Sequence, residues 1–278
     1  PYINSKAVTK ICAILATGSF PKLDALRRSS RRNATRNICR LHGVGPALAT
    51  EIVDKHQISS VEELQRRVRK GDIDLRTITH NSTDMFMLDH FQELQRPVQD
   101  SDVASIKRLL EKLAAKANLK FALVGGICRG KPSSHDLDFL FTVNDAWDSE
   151  KGKNFDAIRS QQRLLSWLRN NGHIVHTMKG NRSSSAAKAA QVLGDEEVAV
   201  HLTVFKAQSG RHVRVDISTV PPRHWAFALL RWSGSAPGWR KLRGWLAPSL
   251  LTPPKSIALT ADDTSCPPSQ SVGSVRHI

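Results

Sequence analysis

Four cysteines in 278 residues, Cys12, Cys39, Cys128 and Cys266, are too scattered for a disulfide framework and lack metal-site spacing. Their scarcity points to a reducing compartment. No apolar run approaches the roughly 20 residues that cross a bilayer, so no membrane partner is expected, and no signal-peptide pattern opens the chain. The first residue is Pro1 rather than Met, which predicts a missing N-terminal region. Acid is scarce too: 25 Asp and Glu stand against 41 Lys and Arg, a formal net charge of +16. That imbalance favours a polyanionic partner without naming it. A chain of this length can bury two or three small cores.

Ile3, Ala7, Ile11, Ile14 and Leu15 have helical spacing, and Gly18 ends the pattern. Arg27, Arg28, Arg31, Arg32, Arg36 and Arg40 follow, opposed only by Asp24; they form either a solvated face or a polyanion surface. A helical stretch then stops at Gly43-Val44-Gly45, and Pro46 suits the first position of the next helix. A Gly-Val-Gly turn lets backbone amides approach an anion closely, with the free N–H groups of a helix start beside it. This is the physical form of a helix-hairpin-helix unit gripping a phosphate backbone, the alternative being a plain helical hairpin. Ser59 or Ser60 caps another helix. The spacing is weaker around Phe86, Leu88, Phe91 and Leu94, and Pro97 breaks it. A strong helix begins at Asp100 or Ser101, and strand character over 119–124 delivers Gly125. Further on, a helix through Leu164, Leu165 and Leu168 ends at Asn171-Gly172. Residues 179–188 read as a loop and 198–205 as a strand, with a structural His201. Residues 248–278 are Pro-, Ser- and Thr-rich and read as a poorly folded tail.

The chemistry concentrates in Gly125-Gly126-Ile127-Cys128-Arg129-Gly130 followed by His135-Asp136-Leu137-Asp138. Strand alternation puts Asp136 and Asp138 on one face and Leu137 and Phe139 on the other. Carboxylates this close repel unless protonated or bridged by cations, and Mg²⁺ takes such oxygens together with substrate phosphates. A turn with two solvated acids is the plainer alternative. A second alternating segment places His212, Arg214 and Asp216 together. If it pairs beside the first, Asp216 completes a three-carboxylate set for two divalent ions; otherwise it is an ion-pair partner of Arg214 or Arg211.

The ordered set of motifs resembles a family X DNA polymerase of the DNA polymerase beta-like superfamily, nearest the terminal transferase, mu and fungal repair polymerase branch. The matching pieces are Gly43-Val44-Gly45-Pro46, the Gly125–Gly130 loop, His135-Asp136-Leu137-Asp138, Arg214-Val215-Asp216 and Leu230-Arg231-Trp232-Ser233-Gly234-Ser235, across about residues 34–246. The resemblance implies an α+β fold, in which a helical helix-hairpin-helix domain precedes a nucleotidyltransferase palm with a mixed or antiparallel sheet. The implied domains are a small helical remnant (1–30), a DNA-binding domain (31–97), the palm and the start of the nascent-pair region (98–247), and the tail (248–278).

Asp136, Asp138 and Asp216 are implied to be catalytic, holding two Mg²⁺ or Mn²⁺ ions while a primer 3′-hydroxyl attacks a dNTP. Gly125, Gly126, Arg129, His135, Trp232, Ser233 and Gly234 are implied to bind the nucleotide, although Arg129 could instead hold its loop through carbonyl contacts. DNA contacts fall to Gly43, Val44, Gly45, Arg214, Arg240, Lys241 and Arg243. The carbonyls of Cys39, Leu41 and Val44 are implied to hold a monovalent cation. Expected partners are primer-template or gapped DNA, dNTP, and end-joining or repair proteins recruited through the missing N-terminal region; the expected location is the nucleus. Ala236-Pro237-Gly238-Trp239 departs from the family pattern, and the segment from Gly244 onward does not look like its closing subdomain. A nucleotidyltransferase acting on RNA or a small substrate, and a weak or inactive DNA-binding isoform, are the alternatives.

Overall fold

The computed structural model describes residues 3–79, 83–131, 133–146, 148–178 and 199–250, without the side chains of 243 and 245–250. The loop expected over 179–188 and residues 251–278 of the expected tail lie outside the described residues. The chain divides into two compact units after Gly234, inside the 98–247 span assigned above to one domain. The described part of the second unit is built around the helix Ala236–Leu250, which carries regular structure three residues into the expected tail.

The first unit opens with helices α1 (Ser5–Thr17), α2 (Pro21–Arg28), α3 (Ser30–Ile38), α4 (Pro46–His56) and α5 (Val61–Arg69). Each boundary has a local cause. Asn4 caps α1 by accepting the Ala7 N–H, and Gly18 ends it in the left-handed region. Gly45 precedes Pro46 at the start of α4. Ser60 caps α5 by accepting the Glu63 N–H, while Glu63 reaches back to the Ser59 amide. Three short helices follow: α6 (Leu75–Ile78), α7 (Met85–Asp89) and α8 (Phe91–Leu94). From α3 to α8 one apolar cluster forms, centred on Ile38, Ala49, Ile52, Leu64 and Leu88. Neither α1 nor α2 buries a residue.

The remainder of the unit is a mixed, open five-stranded sheet ordered β1-β2-β5-β4-β3. Its parts run α9 (Asp100–Lys116), β1 (Leu119–Val124), α10 (Gly125–Cys128), β2 (Asp136–Val143), α11 (Glu150–Lys153), α12 (Ala157–Asn170), β3 (Ile174–Met178), β4 (Ala199–Lys206) and β5 (His212–Thr219). Only β2 and β5 pair in parallel. Leu137, Phe139 and Phe141 of β2 and Val213, Val215 and Ile217 of β5 face one core with Leu110 of α9 and Leu165 and Leu168 of α12. Covering that face leaves the opposite one for polar work. There, Leu140 packs with Val124, Val220 and Ala228 of the helix Trp225–Ser233, while Met87 and Leu94 pack on Met178 and Val204. The architecture is α+β, helices first and sheet second. Among the described residues, no helix is long and apolar enough to cross a membrane.

Candidate active site

The parallel pairing sets the site. Asp136 stands in register with Arg214 and Asp138 with Asp216, so all four share the face away from the main core. Arg214 donates through Nη2 to Asp136 Oδ2 at 2.9 Å, and Ser134 donates through Oγ to Asp136 Oδ1 at 3.0 Å. Arg211 is occupied elsewhere, at 3.0 Å from the buried Asp102. Neither arginine is therefore the hydrogen-bonded ion-pair partner of Asp216. Asp216 instead buries Oδ1 with no hydrogen-bond partner.

An unpaired carboxylate away from water favours its neutral form. Burial pushes Asp216 up to about 8; Arg214 opposes the shift and the negative charges of Asp138 and Asp136 add to it. Burial, then the charge of Asp136, raises Asp138 to about 6 against the pull of Arg214 and Arg129. At neutral pH Asp216 holds a proton that a bound cation would displace.

Gly125 fits the third side of the site. Its φ is +74°, and a Cβ there would lie 1.9 Å from Asp138 Oδ2. Both facts demand glycine: the backbone sits in the left-handed region, and the carboxylate occupies the space of a side chain. At Gly126 an added Cβ would meet Lys131 Cδ at 3.2 Å. Arg129 points its Nη1 at the carbonyls of Trp232, Ser233 and Gly234, at 3.3, 3.4 and 3.2 Å. Arg129 thus holds the Trp232–Gly234 turn through carbonyl contacts. Trp232 packs beside the Val124 and Leu140 cluster, with the Arg231 guanidinium 5.1 Å from its ring. Ser233 ends its helix, Gly234 caps it, and His135 is exposed.

The expected DNA and cation contacts have their own settings. Gly43 has φ +76°, Gly45 caps α4, and a Cβ at Gly45 would meet nothing within 4 Å. Val44 is buried, and its N–H donates to the Leu41 carbonyl at 3.1 Å; Cys39 caps α3. Arg240 and Lys241 are exposed on the helix of the second unit, and the Arg243 side chain lies outside the described residues. Arg214, expected at DNA, is committed to Asp136.

One group escaped the sequence reading. Among the described residues, His90, Glu93 and His212 bring their ligand atoms within 4.8 Å of one another, which the three aspartates do not. His212 lies on the predicted polar face of β5 but received no role there. The i,i+3 spacing of His90 and Glu93 was the available signal.

No family model matches the chain. Over 261 residues it is 24% identical to the human protein "DNA-directed DNA/RNA polymerase mu", covering 87% of this chain and 49% of that one. The chain spans about half the length of that curated relative. A distant likeness of this kind supports a place in the broader polymerase beta-like nucleotidyltransferase superfamily rather than in a specific family.

Proposed function

We propose that the chain transfers a nucleotidyl group from dNTP to a primer 3′-hydroxyl during gap filling or end-joining repair in the nucleus. The observation that carries this reading is the register of Asp138 against Asp216, with Asp136 beside them and a buried Asp216 oxygen lacking a partner. An orphaned oxygen in an all-carboxylate donor set suits a hard divalent cation. Asp136, Asp138 and Asp216 would hold two Mg²⁺, or Mn²⁺, which supply charge stabilisation for the phosphates when bound.

The chain's own residues then have distinct tasks. Asp216 releases its proton on becoming a ligand. Gly125 keeps the backbone out of the space that Asp138 occupies, and Gly126 offers an amide close to a triphosphate. Arg129 holds the Trp232–Gly234 turn and, on turning toward substrate, pairs with terminal phosphates as a bidentate fork. Arg214 fixes Asp136 through its guanidinium. The α-phosphate gains a bond to the primer oxygen and loses pyrophosphate, so no covalent protein intermediate is needed. DNA is held at the Gly43-Val44-Gly45 turn as a helix-hairpin-helix clamp, with Arg240, Lys241 and Arg243 on the backbone. The carbonyls of Cys39, Leu41 and Val44 would hold a monovalent cation beside that clamp. Repair proteins remain the proposed partners.

Purified protein with dNTPs and Mg²⁺ or Mn²⁺ on gapped DNA, single-stranded DNA primer and RNA primer tests this reading. Extension is expected on gapped DNA. Extension of RNA alone would replace the reading with an RNA-tailing activity, and extension of none would overturn it.

A further inference from the structure

At the start of β5, four residues and about 13 Å of strand away from Asp216, a second polar group has different chemistry. His90 and Glu93 come from the turn between α7 and α8 and from α8 itself; His212 opens β5. The His90 Nδ1 lies 2.9 Å from the Phe86 carbonyl, which can only accept, so Nδ1 carries the hydrogen and Nε2 the free lone pair. Phe86 fixes the ring plane by stacking on His90 at 4.2 Å, and on its other side stacks on His176 at 4.4 Å. The His90 and His212 rings meet edge-on at 4.4 Å. Glu93 accepts from the His212 amide at 2.9 Å and stands 2.8 Å from its Nδ1. Across the Phe86 ring from His90, His176 Nε2 is buried without a hydrogen bond, with Asp84 Oδ2 3.1 Å away.

We infer that His90, Glu93 and His212 form a site for a borderline divalent transition ion of the Zn²⁺ class, joining the last helices before the sheet to the start of β5. Two imidazoles and one carboxylate suit such an ion, whereas Mg²⁺ prefers oxygen alone. The ligands span 119 residues between Glu93 and His212, so the ion would close a long loop by tying α8 to β5. Its role is structural, and it stands whether or not the aspartates perform nucleotidyl transfer.

Chelator-stripped full chain, titrated with Co²⁺ and then Zn²⁺ without nucleotide, tests the site. One equivalent of Co²⁺ should bind with visible d–d absorption and no thiolate charge-transfer band. Zn²⁺ should displace it and raise the Tm, and millimolar Mg²⁺ should not compete. His90→Ala and Glu93→Gln should each weaken binding tenfold or more. If His90→Ala does not fold, Glu93→Gln carries the test alone, because its amide oxygen still accepts the His212 N–H. Glu111→Gln, on the exposed side of α9, should bind as the parent does. Absence of stoichiometric Co²⁺ binding that survives millimolar Mg²⁺, a thiolate band, or unchanged binding in Glu93→Gln would overturn the assignment.

Discussion

Two stretches of β5 treat nearby carboxylates in opposite ways. Near the start of the strand Asp102, with 1% of its surface exposed, is satisfied by Ser209 at 2.7 Å and Arg211 at 3.0 Å. Mid-strand, Asp216 buries an oxygen with no partner, and burial pushes its pKa to about 8. The first stretch uses charge to hold helices against the sheet. The other keeps charge unsatisfied on a strand that the core already holds in place. A carboxylate buried with all its partners, as Asp102 is, reads as structure; one with an orphaned buried oxygen, as Asp216 has, reads as a place for a cation.

The sharpest way to break this comparison is to neutralise one carboxylate in each stretch. Asp102→Asn should destabilise the protein by about 3–5 kcal/mol, because Arg211 loses the charge of its buried partner. Asp216→Asn in metal-free protein should leave stability unchanged or raise it, since no ion pair is lost. Urea denaturation of both variants at pH 8 checks the pair; equal losses would erase the distinction.

Gly125→Ala should cost roughly 1–3 kcal/mol through its positive φ. It should also reduce extension more than ten-fold, because the new methyl displaces Asp138. Denaturation and primer extension on one preparation separate the two effects. Normal extension by a folded variant would show that the position of Asp138 is unimportant.

The pH dependence follows from the same contrast. Unfolded Asp216 loses its proton near the ordinary aspartate value, whereas the folded group holds it to about pH 8. Between those values the native Asp216 binds more protons, so its contribution to metal-free stability falls as pH rises, by at most about 1.4 kcal/mol per unit, and Asp138 adds to the slope below about pH 6. Mg²⁺ must displace those protons, so its stabilising effect should grow toward pH 8. Thermal melts from pH 5 to 8.5, with and without Mg²⁺, should show both trends, and Asp216→Asn should flatten them.

The smallest effect on the protein itself is expected at Gly45→Val. Its Cβ would enter open space, so folding should change by less than about 1 kcal/mol. Affinity for gapped DNA should fall about tenfold if a phosphate approaches that turn. Unchanged affinity in fluorescence anisotropy would remove Gly45 from the clamp.

Alternation made the polar faces of β2 and β5 legible, and the helical spacing of Ile106, Leu110 and Leu113 made α9 legible, because those patterns are local. The Gly18 stop and the Ser60 cap were readable for the same reason. Residues 75–94 broke into three helices of four or five residues, too short for a period to show. The parallel β2–β5 pairing was only a condition in the sequence, since a segment of nearly seventy residues separates the strands. The choice of Asp136 by Arg214 depends on that register, and the meeting of His90 with His212 on the docking of α8 against β5. The Arg129 contacts joined residues 103 to 105 positions apart, which no local pattern encodes.

Extension of a gapped DNA primer by Asp216→Asn, beside the parent protein at saturating dNTP and Mg²⁺, tests the central claim most directly. The account predicts product from the parent, at least a thousandfold less from the variant, and unchanged DNA affinity and fold for both. Near-normal extension by Asp216→Asn would contradict it, because the unpaired carboxylate would then have no part in the chemistry.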